Sequence, residues 1–294
     1  MIDLAFSIGL ITSTLVVGVA YAGRITRAGA ARHARIERAG SSPLLAKGAM
    51  EMGYWAMAPV ARFLIALGVT ANAVSWLSLV LAGAAGVALA LGHFGIGAML
   101  SAVSSVCDAV DGFIARETGT ASDSGEVLDA AVDRYAELFF LGGIAVHERH
   151  DALTLVLTLA ATAGAMMVSY STAKAEALGV EPPRGAMRRQ ERAVYFVLGA
   201  GLVPVVAAAA ARWGLPAFVD RWPLLAMLAL VAVVGNVSAV RRLRVVADAV
   251  RKPAPEPMFR PSPGGPRPSP GWQHEDEAEA LARDAHAAAG DALR

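Results

Sequence analysis

The sequence predicts an all-α, polytopic membrane helix bundle, and three observations carry that prediction. Hydrophobic residues make up 55% of the 294 residues and charged ones only 17%, with a mean hydropathy of +0.49. That composition lies outside the soluble range. Several apolar runs approach the roughly 20 residues that a helix needs to cross a bilayer. Arginine-rich clusters fall at alternate ends of these runs, as positive-inside topology requires.

Asp3 to Ala22 is a continuous apolar run of about spanning length. Ala20-Tyr21-Ala22 resembles a signal-peptidase site, but no basic residue precedes the run. Arg24, Arg27, Arg32 and Arg35 follow it. Residues 1–23 are therefore read as an uncleaved extra transmembrane helix with its C-terminal end in the cytoplasm. Residues 24–67 form a basic cytoplasmic segment, in which Tyr54 and Trp55 mark an amphipathic helix on the membrane surface. A solvated linker is the plainer alternative. Gly68-Val-Thr-Ala-Asn72 is a break, and Val74 to Leu91 is the next span, with Ala82, Gly83 and Gly86 as a small-residue packing face. His93 falls in a short outside turn before the spans Gly97–Arg116 and Glu126–Val146. His147 to His150 reads as a polar outside loop; two histidines three apart could bind a metal on a helix, but no third ligand converges on them.

Leu153–Val168, Ala193–Ala211 and Leu224–Val240 complete the spans, with Trp213 and Trp222 as interface anchors. Arg241, Arg242 and Arg244 then place the C-terminus in the cytoplasm. Residues 246–294 are proline-rich and read as a largely disordered tail, with an alanine-rich stretch over 275–293 able to form a short helix. The single cysteine, Cys107, excludes an intramolecular disulfide and reads as a small buried apolar residue rather than a soft ligand.

Against this apolar background the stretch Asp108 to Asp133 stands out. It contains D-A-V-D-G-F-I-A-R and, after a polar turn with Gly119, G-E-V-L-D-A-A-V-D. Ionisable groups at membrane depth are costly and point to function. Asp108 and Asp111 are three apart and Asp129 and Asp133 four apart, so each pair shares one helix face. Two antiparallel helices joined at the turn would bring the four carboxylates together. Such a cluster repels itself unless cations neutralise it, and hard Mg²⁺ or Mn²⁺ suits oxygen ligands. Two such ions sharing carboxylates are a recurring device in phosphoryl chemistry. Gly112, one turn from Asp108, leaves room for a ligand, and Arg116 one turn further is placed to meet a phosphate. Glu137 continues the stripe and reads as a structural partner for Arg134 or another helix.

The order Asp108-x2-Asp111-Gly112-x2-Ala115-Arg116-x8-Gly125-x3-Asp129-x3-Asp133 resembles the signature of the CDP-alcohol phosphotransferase family without departure. Eight residues at fixed spacing would coincide by chance on the order of once in 10¹⁰ windows at average usage. The resemblance covers residues 68–245 as a six-helix transmembrane domain. One mild departure is Ala71, where the family often has proline in a T-P-N helix start. The resemblance implies metal-dependent transfer of a phosphatidyl group from CDP-diacylglycerol to an alcohol, with release of CMP, in phospholipid biosynthesis. It implies two ions, Mg²⁺ or Mn²⁺, held by Asp108, Asp111, Asp129 and Asp133. Asp133 would also be the general base. Asp111, Gly112, Ala115, Arg116 and Gly125 would form the CDP site. It further implies a homodimer among membrane lipids, an active site at the cytoplasmic face, and no nucleic-acid partner.

A second stretch, S-Y-S-T-A-K-A-E followed by G-A-M-R-R-Q-E-R, is similar to the acceptor region of the phosphatidylinositol-phosphate synthase branch. By that resemblance Lys174, Arg189 and Arg192, with Ser169 and Arg188 behind them, would hold an acceptor phosphate, most simply that of inositol phosphate. Plain positive-inside topology explains the same charges. Glycerol-3-phosphate is an alternative acceptor. From another class, an ion-coupled transporter would place carboxylates at mid-span on broken helices, and a silent membrane scaffold would have no use for all four. The sequence contains no P-loop, no Rossmann fingerprint and no internal repeat.

Overall fold

The computed structural model describes residues 1–29, 47–183 and 185–251. The expected basic linker with Arg32 and Arg35, and the C-terminal tail beyond Arg251, lie outside the described residues. Within them the chain is helical without strands. Helices α1 (Ile2–Ala28), α2 (Lys47–Ala66), α3 (Ala71–Ala90) and α4 (Phe94–Glu117) are followed by α5 (Asp123–His147) and α6 (Ala152–Ala177). Then come α7 (Arg189–Trp213), a short 3-10 helix (Ala217–Arg221) and α8 (Trp222–Arg251).

Six helices are long and apolar enough to cross a membrane: α1, α3, α4, α6, α7 and α8. Helix α5 has the length, at 25 residues, but carries five carboxylates and an arginine in its sequence. Its charges are the candidate site itself. The molecule is an integral membrane protein, with α1 as the expected additional N-terminal span.

Local signals set the helix boundaries. Thr70 caps α3 by accepting from the Ala73 amide at 3.3 Å, so Ala71 takes the first helical position that proline favours. Ser122 caps α5 in the same way through the Gly125 amide at 3.2 Å. Asp151 caps α6 through Thr154 at 2.9 Å. Gly119, at φ 68°, makes the left-handed turn after α4 that the sequence predicts. Helices α6 and α8 run further than expected, and α7 begins at Arg189, so Arg189 and Arg192 are helical rather than in the loop.

Packing corrects one expectation. Helices α4 and α5 make little direct contact, and α3 packs along both of them. Small residues permit this close approach. A side chain at Gly86 of α3 would strike the backbone of Phe139 in α5, and one at Gly97 of α4 would strike Leu89 of α3. Helix α6 packs on α8, where Asn236 donates to the Ala160 carbonyl at 2.8 Å. The main core gathers Leu89, Phe140, Ile144, Phe196, Leu228 and Val231.

Helix α1 touches the bundle at both ends. Asp3 accepts a hydrogen bond from the Ile96 amide at 2.9 Å, at the start of α4. Near its other end Tyr21 is buried, bonds Glu51 of α2 at 3.5 Å and lies 5.5 Å from the Trp55 ring. Trp55, expected as an interfacial aromatic, is therefore packed against α1. His93 is exposed as expected. His147, expected in the outside loop, is instead the last residue of α5 and packs edge-on to Phe94 at 5.1 Å.

Candidate active site

The last three turns of α4 and the first three of α5 flank the Gly119 turn, and this places the carboxylates. Oxygens of Asp108, Asp111 and Asp129 all lie within 4.8 Å of one another, and this is the metal-compatible cluster found among the described residues. Asp111 is only 5% exposed, and Ser75 of α3 donates to its Oδ2 at 2.5 Å. Asp133 is buried one turn below Asp129. Three carboxylates that converge so closely repel one another unless a cation joins them, and an oxygen-only donor set of this kind fits a hard divalent cation. Cys107 packs beside Ala61, Val110 and Ile114 and takes no part in the cluster.

Asp133 joins the group through an arginine. Arg189, in the first turn of α7, donates from Nη1 to Asp108 Oδ2 at 2.7 Å. Its Nη2 ion-pairs with Asp108 Oδ1 at 2.6 Å and with Asp133 Oδ1. Below this contact a cavity of about 50 Å³ runs between Asp133, Glu137, Arg189 and the α4 serines Ser101, Ser104 and Ser105. Phe140, Phe196 and alanines complete its lining, so it is a small space with one charged wall, on the scale of a few waters.

The expected CDP-site residues line the same turn. The Arg116 guanidinium folds back over Gly112, where a Cβ would meet Nη1 at 3.1 Å. Ala115 is half-buried and Gly125 carries the capped amide of α5.

The residues expected at an acceptor phosphate separate into three environments. Lys174 is exposed on the last turns of α6, and Arg188 is partly buried. Arg189 is engaged with the carboxylates as described, with a side chain 28% exposed. Arg192 is fully buried and cannot reach a ligand as placed. Its Nε donates to Glu137 Oε1 at 2.7 Å, its Nη1 to the Met187 carbonyl at 2.6 Å and its Nη2 to Ser169 at 3.3 Å. A charge taken out of solvent requires such partners. Arg192 is thus a scaffold between α5, α6 and the α6–α7 loop, and Ser169 is one of its partners. Glu137 answers the expectation of a structural partner, since it holds both Arg134 at 3.3 Å and Arg192.

Sequence reasoning missed one residue here. Arg242 of α8 is 6% exposed, donates from Nη2 to the Ala186 carbonyl at 3.0 Å, and has an Nε without a hydrogen-bond partner. A side chain at Gly185 would meet that Nε at 2.9 Å. Ser238 donates to the same carbonyl at 2.8 Å. Met187 between them has a left-handed φ of 61°, so the loop is held in a conformation non-glycine residues seldom adopt. The overlooked signal was periodic: Gly235, Ser238, Arg242 and Val246 continue the buried face of α8, whereas Arg241 and Arg244 leave it.

Comparisons with known proteins agree with this geometry. The profile described as CDP-alcohol phosphatidyltransferase matches residues 68–233. The chain is 32% identical over 199 residues to the phosphatidylinositol phosphate synthase of Mycobacterium tuberculosis, covering 64% of this chain and 84% of that one. It is 34% identical over 152 residues to the Mycobacterium marinum protein of the same name, covering 49% of this chain and 63% of that relative. Among solved structures, the M. tuberculosis synthase with CDP-DAG bound superimposes with a TM-score of 0.56 at 28% identity, covering 65% of this chain and 92% of that one. The same synthase in complex with manganese and citrate gives a TM-score of 0.57 at 26% identity, covering 67% and 93%.

Proposed function

Since the chain belongs to the CDP-alcohol phosphatidyltransferase family, we propose that it transfers the phosphatidyl group of CDP-diacylglycerol to the hydroxyl of inositol phosphate and releases CMP. The observation that carries this reading is the meeting of the Asp108, Asp111 and Asp129 oxygens within 4.8 Å, with Asp133 linked to Asp108 through Arg189. Asp108, Asp111, Asp129 and Asp133 would hold two divalent cations, Mg²⁺ or Mn²⁺. Such cations, when bound, neutralise the pyrophosphate and stabilise the leaving CMP. Gly112, Ala115, Arg116 and Gly125 would seat the nucleotide, with Ser75 fixing the orientation of Asp111. Asp133 takes the proton of the acceptor hydroxyl as its oxygen bonds to the lipid-side phosphorus, and the bond from that phosphorus to CMP breaks.

Lys174, Arg188, Arg189 and Arg242 are the proposed acceptor-phosphate residues. Guanidinium groups chelate phosphate oxygens bidentately, and the unpartnered Nε of Arg242 supports its inclusion. Arg192 and Ser169 act by holding the loop that presents them. The domain we propose is residues 68–245, flanked by α1 and the segment to residue 67, with the site at the cytoplasmic face and the chain as a homodimer. The clustering of Arg24, Arg27, Arg188, Arg189, Arg241 and Arg244 at helix ends on one side supports that orientation.

The test is CMP release by purified protein given CDP-diacylglycerol and Mg²⁺ with inositol 1-phosphate, glycerol-3-phosphate or inositol. Release with inositol 1-phosphate alone, abolished in Asp133→Asn, is the expected result. Release with glycerol-3-phosphate instead would reassign the acceptor. Release with none, in folded protein, would overturn the reaction.

A further inference from the structure

We infer that Arg189 is an exchangeable counter-cation: it shares the carboxylates of Asp108 and Asp133 with the metal site and moves to phosphate when cations bind. This rests on the proposed reading of the four aspartates as cation ligands. Three observations point to it.

First, the guanidinium engages both oxygens of Asp108 and one of Asp133. Whichever oxygen of Asp108 a cation takes, Arg189 already stands at it. Like charges brought that close repel strongly where the dielectric is low.

Second, the charges count against simultaneous occupancy. Four carboxylates carry −4, so Arg189 with them leaves −3. Two divalent cations alone bring the four carboxylates to zero. Arg189 then becomes a positive charge without compensation inside a helix bundle, a costly state that an anionic phosphate relieves.

Third, Arg189 has solvent and open space beside it, and its neighbour Arg192 has neither. The Arg189 side chain is 28% exposed beside a cavity, whereas that of Arg192, one turn along the same helix, is 0% exposed and fully bonded. Adjacent arginines on one helix thus serve as a mobile and a fixed charge.

Exchange couples the two halves of the site. Cation binding releases Arg189 toward the phosphate, and phosphate binding by Arg189 vacates the carboxylates for the cation. By linkage each ligand then strengthens the other by the same factor. The chain would thus couple the binding of its cations to that of its phosphorylated acceptor with no separate lid.

The experiment reads Mn²⁺ binding by the free-ion paramagnetic resonance signal, using full-length protein in phosphatidylcholine nanodiscs without nucleotide. Arg189→Gln is expected to bind Mn²⁺ at least tenfold more tightly than the unsubstituted protein. Inorganic phosphate should tighten Mn²⁺ binding several-fold in the unsubstituted protein and lose that effect in Arg189→Gln. Direct phosphate–Mn²⁺ coordination would survive the substitution, so retention of the effect overturns the inference. Arg189→Lys keeps the charge but not the fork and should fall between the two; it serves as the test if the glutamine variant does not fold. Equal or weaker Mn²⁺ binding in both folded variants overturns the exchange while leaving the metal site intact. No Mn²⁺ binding in any of them, nor any difference from Asp111→Asn, overturns the metal reading and the exchange with it.

Discussion

The acidic and basic halves of the site are written in equally dense sequence, but the structure treats them differently. Asp108, Asp111 and Asp129 converge, each carboxylate presenting an oxygen to one small volume. The basic residues of α6, the following loop and α7 do the opposite. Lys174 is exposed, Arg189 reaches across to the carboxylates, and Arg192 is buried as a structural tie. A cluster of like charges needs a common guest, and its members must converge on it. A cluster near an anion and a membrane surface has several uses for each charge, and three positions apart on a helix suffices to separate them.

Substitutions that treat both halves alike should break this comparison. The largest effect is expected at the convergent half. Asp111→Asn removes a charge from the cluster while keeping its size and the Ser75 contact, and should lower CMP release by roughly 10³-fold with little change in acceptor KM. A loss below tenfold would mean that the cluster is not the reaction centre. Next comes the buried tie. Arg192→Met leaves Glu137 with only the partly exposed Arg134 as its counter-charge, and breaking a buried pair costs up to about 3–5 kcal/mol. Thermal unfolding should show a large drop in Tm, with partial recovery in the Arg192→Met/Glu137→Leu double variant. An unchanged Tm with a raised acceptor KM would return Arg192 to the phosphate ligands.

Lys174→Ala is expected to be smaller and of the other kind. Loss of one charge-assisted contact should raise the acceptor KM by about tenfold with Tm unchanged. No change in KM would leave Lys174 to topology alone. The smallest effect lies remote from both halves, at Asp3→Ala. Removing the bond from the Ile96 amide should cost about 1 kcal/mol of stability and leave kcat untouched. A large fall in kcat would instead tie α1 to the positioning of α4.

The acidic half was legible because its information is local. Spacings of three and four residues fix a helix face, and Gly119 fixes the turn, so Asp108 through Asp133 could be grouped from sequence. The basic half depends on distant partners. The tie from Arg192 to Glu137 spans 55 positions, and Arg242 reaches the Ala186 carbonyl across 56. No periodicity within one helix registers those contacts. The wedge of α3 between α4 and α5 was hidden for the same reason, although Gly86 was correctly read as part of a packing face. For Arg242 the signal was present as a buried stripe carried through into a basic cluster, and its neighbours Arg241 and Arg244 obscured it.

The charges of α5 also bear on how the chain is made. A helix with five carboxylates and an arginine is a poor substrate for insertion by itself, since each charge at mid-membrane opposes partitioning by about 2.5–3.5 kcal/mol. Helices α3 and α4 are synthesised first and offer Gly86 and the opposing aspartates as neighbours. Arg134 within α5 partly balances Glu137, but the arginines that reach Asp133 and complete the Glu137 pair come with α7, two helices later. During synthesis α5 therefore has a shape-matched partner before its electrostatic partners from α7. The helix that enters the bilayer least readily on the ribosome is the one that bears half of the carboxylate cluster.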